Sequence, residues 1–111
     1  MAKTKPYQDE LLKALEDPEE AAEYLNAALE EGDEETILLA LRNVADAHGG
    51  VAKVAEGAGL NREHLYRMLS RQGNPALSSL TALLGALELR LAVSVGPGRS
   101  RTKTSRRPRR R

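Results

Sequence analysis

Residues 51–70 read VAKVAEGAGLNREHLYRMLS, and this stretch says most about the architecture. Glycines interrupt its apolar pattern halfway, so we expect two short helices around a tight turn, the second capped by an Asn. A DNA-reading helix-turn-helix needs a small residue where its helices cross, a turn residue tolerant of positive φ, and apolar groups on the inner side. Residues of these kinds stand at the fifth, ninth, tenth, fifteenth and eighteenth positions, as Ala55, Gly59, Leu60, Leu65 and Met68. A generic helical bundle would also place apolar residues here, but the small Ala55 together with Gly59 favours the helix-turn-helix.

The outer side of the second helix is the candidate reading surface. With the apolar residues turned inward, the 3.6-residue period places the charged ones outward, where they would enter the major groove. Arg can bond a guanine edge with both forks and Glu can accept from cytosine, while the capped N-terminus favours a phosphate. A solvated charged face is the alternative interpretation. The candidate DNA contacts are Asn61, Arg62, Glu63, Tyr66, Arg67 and Arg71.

Three helices are expected before this pair. Apolar spacing predicts a first helix over residues 7–16. Asp17 as N-cap with Pro18 at the first helical position predicts the start of a second helix, and Gly32 predicts its end. Asp33 repeats the cap and begins a third helix, which runs to the glycine pair before residue 51.

After the pair, Asn74 as N-cap and Pro75 as first residue predict a last helix that ends near Glu88. Residues 89–95 then alternate apolar and polar side chains, which predicts a short β-strand. A lone strand has no partner of its own, so we expect it to pair with the same strand of a second subunit in a homodimer. Residues 96–111 lack apolar periodicity and are expected to be disordered.

Composition limits the chain to one small core. Its 111 residues are 41% hydrophobic, with no Phe and no Trp, so the core must consist mainly of Leu, Ala and Val, a composition that favours an all-α fold. The absence of Cys fits a reducing compartment. Neither a signal peptide nor an apolar run long enough for a membrane is present, so we expect a cytoplasmic protein without membrane contact.

Charge divides the chain into three parts. Residues 1–35 carry three Lys against twelve acids, a net −9, residues 36–98 carry +2, and residues 99–111 carry eight Lys or Arg and no acid. We therefore distinguish an acidic helical segment (residues 1–35), a helix-turn-helix domain with the strand (residues 36–95) and an Arg-rich tail (residues 96–111). The tail suits phosphate contact without base specificity, or it is merely a solubilising end.

The sequence contains no residue pattern typical of a catalytic or cofactor site. His48 and His64 lack Cys partners and metal-ligand spacing, and the paired acids fall at helix ends or exposed faces. No phosphate-binding glycine loop and no Ser-His-Asp arrangement is present. We therefore expect no enzyme activity, no metal and no cofactor.

The chain resembles the addiction module antidote family, the HigA-like antitoxins of the Xre/lambda-repressor class. The likeness runs from about Tyr7 to Val95, through LEDPEEAAEYLNAALEEGD, LLALRNVADAHGG, GLNREHLYRMLSRQGNPALSSLTALLGAL and LRLAV. The order of these pieces carries the resemblance. Departures are Asn61 and His64, where related proteins often have Ser, and the Arg-rich tail, which they generally lack.

The resemblance implies a lambda-repressor-like five-helix domain, a dimer on operator DNA of its own operon, and neutralisation of a RelE/HigB-like toxin. Its recognition helix and motif core fall on the residues named above. For toxin contact we expect the acidic segment from Asp9 to Glu35, because a toxin that handles RNA should be basic. Two other hypotheses remain: a phage-type Xre transcription repressor without a toxin, and an adaptor that binds proteins and no DNA.

Overall fold

The computed structural model describes residues 4–96, and in this range the chain is all-helical, with six helices and no strand. Six is one more than the resemblance implies, although the cap and periodicity patterns predict six. The helices are α1 Thr4–Ala14, α2 Pro18–Glu31, α3 Glu34–Ala47, α4 Val51–Ala58, α5 Arg62–Met68 and α6 Leu77–Ala86.

The caps around α2 and α3 confirm the boundaries that the sequence predicts there. The Asp17 carboxylate accepts a hydrogen bond from the Glu19 amide (3.1 Å), with Pro18 as the first helical residue. Gly32 ends α2 in the left-handed region, at φ 78°. Asp33 then caps α3 by accepting from the backbone amide and the hydroxyl of Thr36. These side chains satisfy helix-end groups that would otherwise lack partners.

One apolar core joins the acidic segment to the later helices. Helix α3 lies centrally and packs against α1, α2 and α4, while α4 also packs against α5 and α6. Residues 15–28 supply four members of the core and Leu11 of α1 packs against it, so α1 and α2 complete the core whatever else they bind. The core consists of Leu15, Ala21, Leu25, Ala28, Leu38, Ala40, Leu41, Val44, Ala45, Val51, Val54, Ala55, Leu65, Met68, Leu69, Leu83, Leu84 and Leu87.

A short polar chain ties the first three helices together. Asn43 of α3 is buried, and its amide nitrogen donates to the Tyr24 hydroxyl of α2 (2.8 Å). Its amide oxygen accepts from the Gln8 side chain of α1 (3.2 Å). The buried amide is therefore satisfied on both sides, which removes the penalty of an unpaired polar group.

The predicted β-strand is wrong for the single chain. Residues 89–95 form neither helix nor strand, and the side chains of Val93 and Val95 are 98% and 95% exposed. The physical reason is that a strand needs a ladder partner, and no other described segment of this chain offers one. The predicted disorder of the tail falls largely on residues 97–111, which lie outside the described residues.

The predicted start of the last helix is also wrong. Helix α6 begins at Leu77, and Ala76 occupies the N-cap without a side-chain hydrogen bond. Asn74 and Pro75 belong to the preceding loop, which lines a small cleft against α3 together with Ile37. The Gly73 amide donates to the Ser70 carbonyl (2.8 Å), so the chain is still held in the turn after α5 where the cap pattern would begin a helix.

Candidate nucleic-acid interface

A three-residue turn connects α4 to α5. Gly59 ends α4 in the left-handed region (φ 73°), a conformation that side chains with a Cβ rarely adopt. The Leu60 amide donates to the Ala55 carbonyl (2.9 Å), which closes the helix end. Asn61 then caps α5, because its side-chain oxygen accepts from the His64 amide (3.0 Å). Backbone and side-chain bonds therefore fix the angle at which α5 leaves the turn.

The inner side of the α4–α5 pair is closely packed. Ala55 and Leu65 are fully buried and Met68 is almost so, while Leu60 is half-buried and packs against the core. Gly59 is exposed, as its place in the turn requires. The small Ala55 lets the two helices approach where a larger side chain would separate them.

The outer side of α5 carries the charged residues named from the sequence. Arg62, Glu63 and Arg67 are exposed, and Tyr66 keeps 55% of its surface. A short, rigid helix thus presents two guanidinium groups, a carboxylate and a phenol to solvent on one surface. These are groups that can donate to and accept from base edges.

Arg71 differs from the other charged candidate contacts because, among the described residues, its side chain forms an ion pair. Its Nε atom pairs with the carboxylate of Glu35, in the first turn of α3, at 2.5 Å. The hydrogen bond that Arg71 donates to Glu35 and the attraction of the carboxylate charge raise the pKa of Arg71 above the ordinary value. Both side chains stay largely exposed, so the pair lies in water beside the end of α5.

Two long-range contacts that sequence patterns miss hold α5 in place. The Arg42 guanidinium of α3 donates to the carbonyl of Leu69, the residue that caps the C-terminus of α5. The His64 Nε2 atom lies 3.3 Å from the hydroxyl of Ser79 on α6. Arg42 and Ser79 are far from α5 in sequence, so periodicity and cap patterns could not indicate them.

Gly73 lets the chain turn closely beneath α5. A Cβ added there would lie 2.6 Å from the carbonyl carbon of Met68, closer than real Cβ atoms approach. Any other residue at this position would force the loop away from the end of α5. Glycine is therefore needed at position 73 for steric reasons, which its place in the sequence before Asn74 does not indicate.

A further basic residue, Lys53 of α4, lies near Arg62 at the start of α5. Lys53, on the exposed side of α4, lines an open groove together with Arg62 and Glu56. Lys53 is not among the candidate contacts predicted from the sequence, although a basic residue in the first turn of α4 could have suggested a phosphate contact. Lys53 and Arg62 place two positive charges along this groove, which the Glu56 carboxylate also lines.

Within residues 4–96, no group of three or more His, Cys, Asp or Glu side chains is arranged to hold a metal ion. None of the described helices is long and apolar enough to cross a membrane.

Comparison with known proteins gives two matches. Residues 6–95 match the model of a family described as probable addiction module antidote protein. An uncharacterized protein of Haemophilus influenzae is 39% identical over 79 residues, which cover 71% of this chain and 80% of that protein. No solved structure matches the chain.

Proposed function

The chain belongs to the probable addiction module antidote protein family, and from this premise we propose that it represses its own operon and neutralises a toxin. In this proposal α4 and α5 act as a helix-turn-helix that binds double-stranded operator DNA. The partner is a RelE/HigB-like toxin, and the protein acts in the cytoplasm as a binding protein without catalysis.

The exposed charged side of α5 carries the DNA-binding part of the proposal. Arg62 and Arg67 project from a helix that is capped at its start by Asn61 and bonded at its end by Arg42. Reading a base edge requires side chains held on a rigid element, and both ends of α5 are held. Lys53 and the helix N-terminus supply nearby groups for phosphate contact.

Duplex binding tests this part of the proposal. We expect the full chain and a version ending at Gly98 to prefer DNA from upstream of the gene over a scrambled duplex. The tail carries eight of the positive charges, so its removal should weaken binding to both duplexes and flatten the salt dependence. Equal binding to both duplexes, lost entirely with the tail, would instead favour a protein-binding adaptor.

The acidic segment is the proposed toxin surface. Its twelve acids include an exposed cluster on α2, and a toxin that handles RNA should present a complementary basic surface. Because α1 and α2 also complete the core, the charges can be tested only by substitutions that keep the helix. The exposed acids chosen for this purpose are Glu19, Glu20 and Glu23.

Replacing these three Glu by Gln is expected to slow toxin association by about tenfold at low salt, since steering by opposite charge acts on the association rate. Surface plasmon resonance at two salt concentrations measures the rate. A control with the same charge change elsewhere is Asp46→Asn, Glu56→Gln and Glu88→Gln. Unchanged toxin association in the α2 variant would contradict the proposed surface.

We also propose a homodimer in which residues 89–95 of two copies pair. The support is that the side chains of Leu91, Val93 and Val95 are exposed. Leu91 and Val93 line clefts with Leu29 of α2, itself half exposed, and together they form an apolar surface that water disfavours. Two paired strands would give each the ladder that one chain lacks.

Substituting Val93 by Pro should convert the dimer to a monomer, because Pro removes a ladder donor and restricts the backbone. Light scattering measures the mass in solution. Val93→Thr keeps the amide and a β-branched side chain, so it serves as the control that remains dimeric. A Val93→Pro variant with dimer mass would exclude this pairing.

A repressor without a toxin is the second candidate function. It is supported by the exposed charged side of α5, which needs no toxin to contact DNA. A short reading frame of toxin size beside the gene, whose product co-purifies with this chain, would favour the antitoxin.

A further inference from the structure

Two side chains of α3 reach the segment that follows α5. Arg42 donates to the carbonyl of Leu69, and Glu35 pairs with Arg71 two residues later. Each end of the segment 69–71 is therefore contacted by a charged side chain of α3. The Arg42 contact satisfies a carbonyl at the helix end, but the Glu35 contact pairs with a cation that stays largely exposed next to the reading surface.

We propose that Glu35 limits the affinity of this chain for DNA by holding Arg71 in an ion pair. This inference rests on the proposed function and adds a regulatory residue to its DNA-binding surface. In the free protein the guanidinium of Arg71 is occupied, and the Glu35 carboxylate adds negative charge at the margin of the surface. A DNA phosphate must therefore displace Glu35 from the Arg71 guanidinium and must approach against the negative charge of the Glu35 carboxylate.

The exposure of the pair makes this exchange feasible. The side chains of Arg71 and Glu35 are 77% and 51% exposed, and ion pairs in water contribute little to stability. A duplex offers a dense row of phosphates, and guanidinium binds phosphate and carboxylate with the same forked geometry. Glu35 therefore weakens phosphate contact without being needed for the fold.

Removing this native contact should therefore strengthen DNA binding, whereas loss of a native contact usually weakens it. Glu35→Gln frees Arg71 and deletes one repulsive charge, so we expect about fivefold tighter binding of upstream duplex, the effect of one unit charge about 4 Å away in water. The slope of log K against log salt should steepen by about 0.9 for each protomer, since one more phosphate is neutralised.

Glu34→Gln is the matched control. Glu34 is the neighbouring acid in the first turn of α3, so both substitutions remove one charge at the same helix N-terminus. Among the ion pairs of residues 4–96, Arg71 is joined to Glu35 and not to Glu34. Equal thermal stability of the two variants shows that a change in the helix does not cause the difference in binding.

The experiment measures binding of upstream and scrambled duplex at two salt concentrations, with the full chain carrying Glu35→Gln, Glu34→Gln, Arg71→Gln or Glu35→Gln plus Arg71→Gln. We expect a gain in Glu35→Gln that exceeds the gain in Glu34→Gln. Measured against Arg71→Gln, the double variant should gain no more than Glu34→Gln does, because only the deleted charge then acts. Equal gains in the two single Glu variants, or a gain that persists undiminished without Arg71, would overturn the proposal. Failure of the unsubstituted chain to prefer upstream DNA would instead refute the proposed function itself.

Discussion

Replacing both Arg62 and Arg67 by Ala is expected to abolish the preference for upstream DNA while leaving the helices intact. Each bidentate contact between an Arg and a guanine edge is worth about 1–3 kcal/mol of discrimination, so loss of both removes a preference on the order of a hundredfold. Both side chains are exposed, so their removal opens no cavity in the core. Competition between upstream and scrambled duplex measures the effect, and circular dichroism checks the helices.

The control is Lys13→Ala, which removes a positive charge from an exposed position outside α4, α5 and the proposed dimer segment 89–95. This variant should lose a little affinity for both duplexes alike and keep the preference. Full preference in the Arg62 and Arg67 variant would show that the outer side of α5 does not read sequence.

The largest effect on stability is expected at Leu65, on the inner side of the same helix. Its side chain is fully buried within the common core. Leu65→Ala should lower the free energy of unfolding by about 2–5 kcal/mol, the sum of lost burial and the cavity left behind. Small domains are stable by only about 5–15 kcal/mol, so this is a large fraction of the total.

Tyr66→Ala provides the comparison, because Tyr66 is the next residue of α5 and 55% exposed. Urea denaturation of both variants should show a much lower midpoint for Leu65→Ala and a nearly unchanged one for Tyr66→Ala. Similar midpoints for the two would mean that α5 is not oriented as described. The pair also separates folding from DNA contact, since Tyr66 belongs to the proposed reading surface.

Local chemistry explains why much of this fold could be predicted. Asp17, Gly32, Asp33, Gly59 and Asn61 each act within a few residues of their own position, as caps or as left-handed helix ends. Such interactions depend on neighbouring residues alone, so the printed sequence contains all that they need. The inward and outward sides of α5 follow equally from its period.

The contacts that could not be predicted are those between distant residues. The sequence assigns no role to Arg42 and makes Arg71 a candidate DNA contact, but α3 brings Arg42 to a carbonyl and Arg71 into an ion pair. His64 likewise meets Ser79 across the gap between α5 and α6. Which long side chains meet depends on how helices cross, and that geometry is set by the core rather than by local patterns.

The two errors at the C-terminal end have different causes. Asn74 and Pro75 form a good local start signal, but Gly73 just before them is bonded into the turn after α5, and α6 begins only at Leu77. The alternation over residues 89–95 is real, yet a strand exists only when another strand completes its ladder. That prediction therefore depends on a second copy of the chain.

Helix α3 links the two proposed binding surfaces. It packs against α2, which carries the acids of the proposed toxin surface, and its side chains Glu35 and Arg42 contact the segment after α5. The proposed toxin and DNA surfaces lie on different helices, so occupation of one does not by itself cover the other. A shift of α3 would act on the position of α5 and on the pairing of Arg71 together.

Titration of upstream duplex into the isotopically labelled full chain, followed by backbone amide chemical shifts, shows which surface binds DNA. The account predicts that the largest and earliest changes fall on residues 61–67 and on Lys53, with residues 15–28 of the core nearly unchanged. Changes confined to the Arg-rich tail, or centred on the acidic helices α1 and α2 while α5 stays unperturbed, would contradict it.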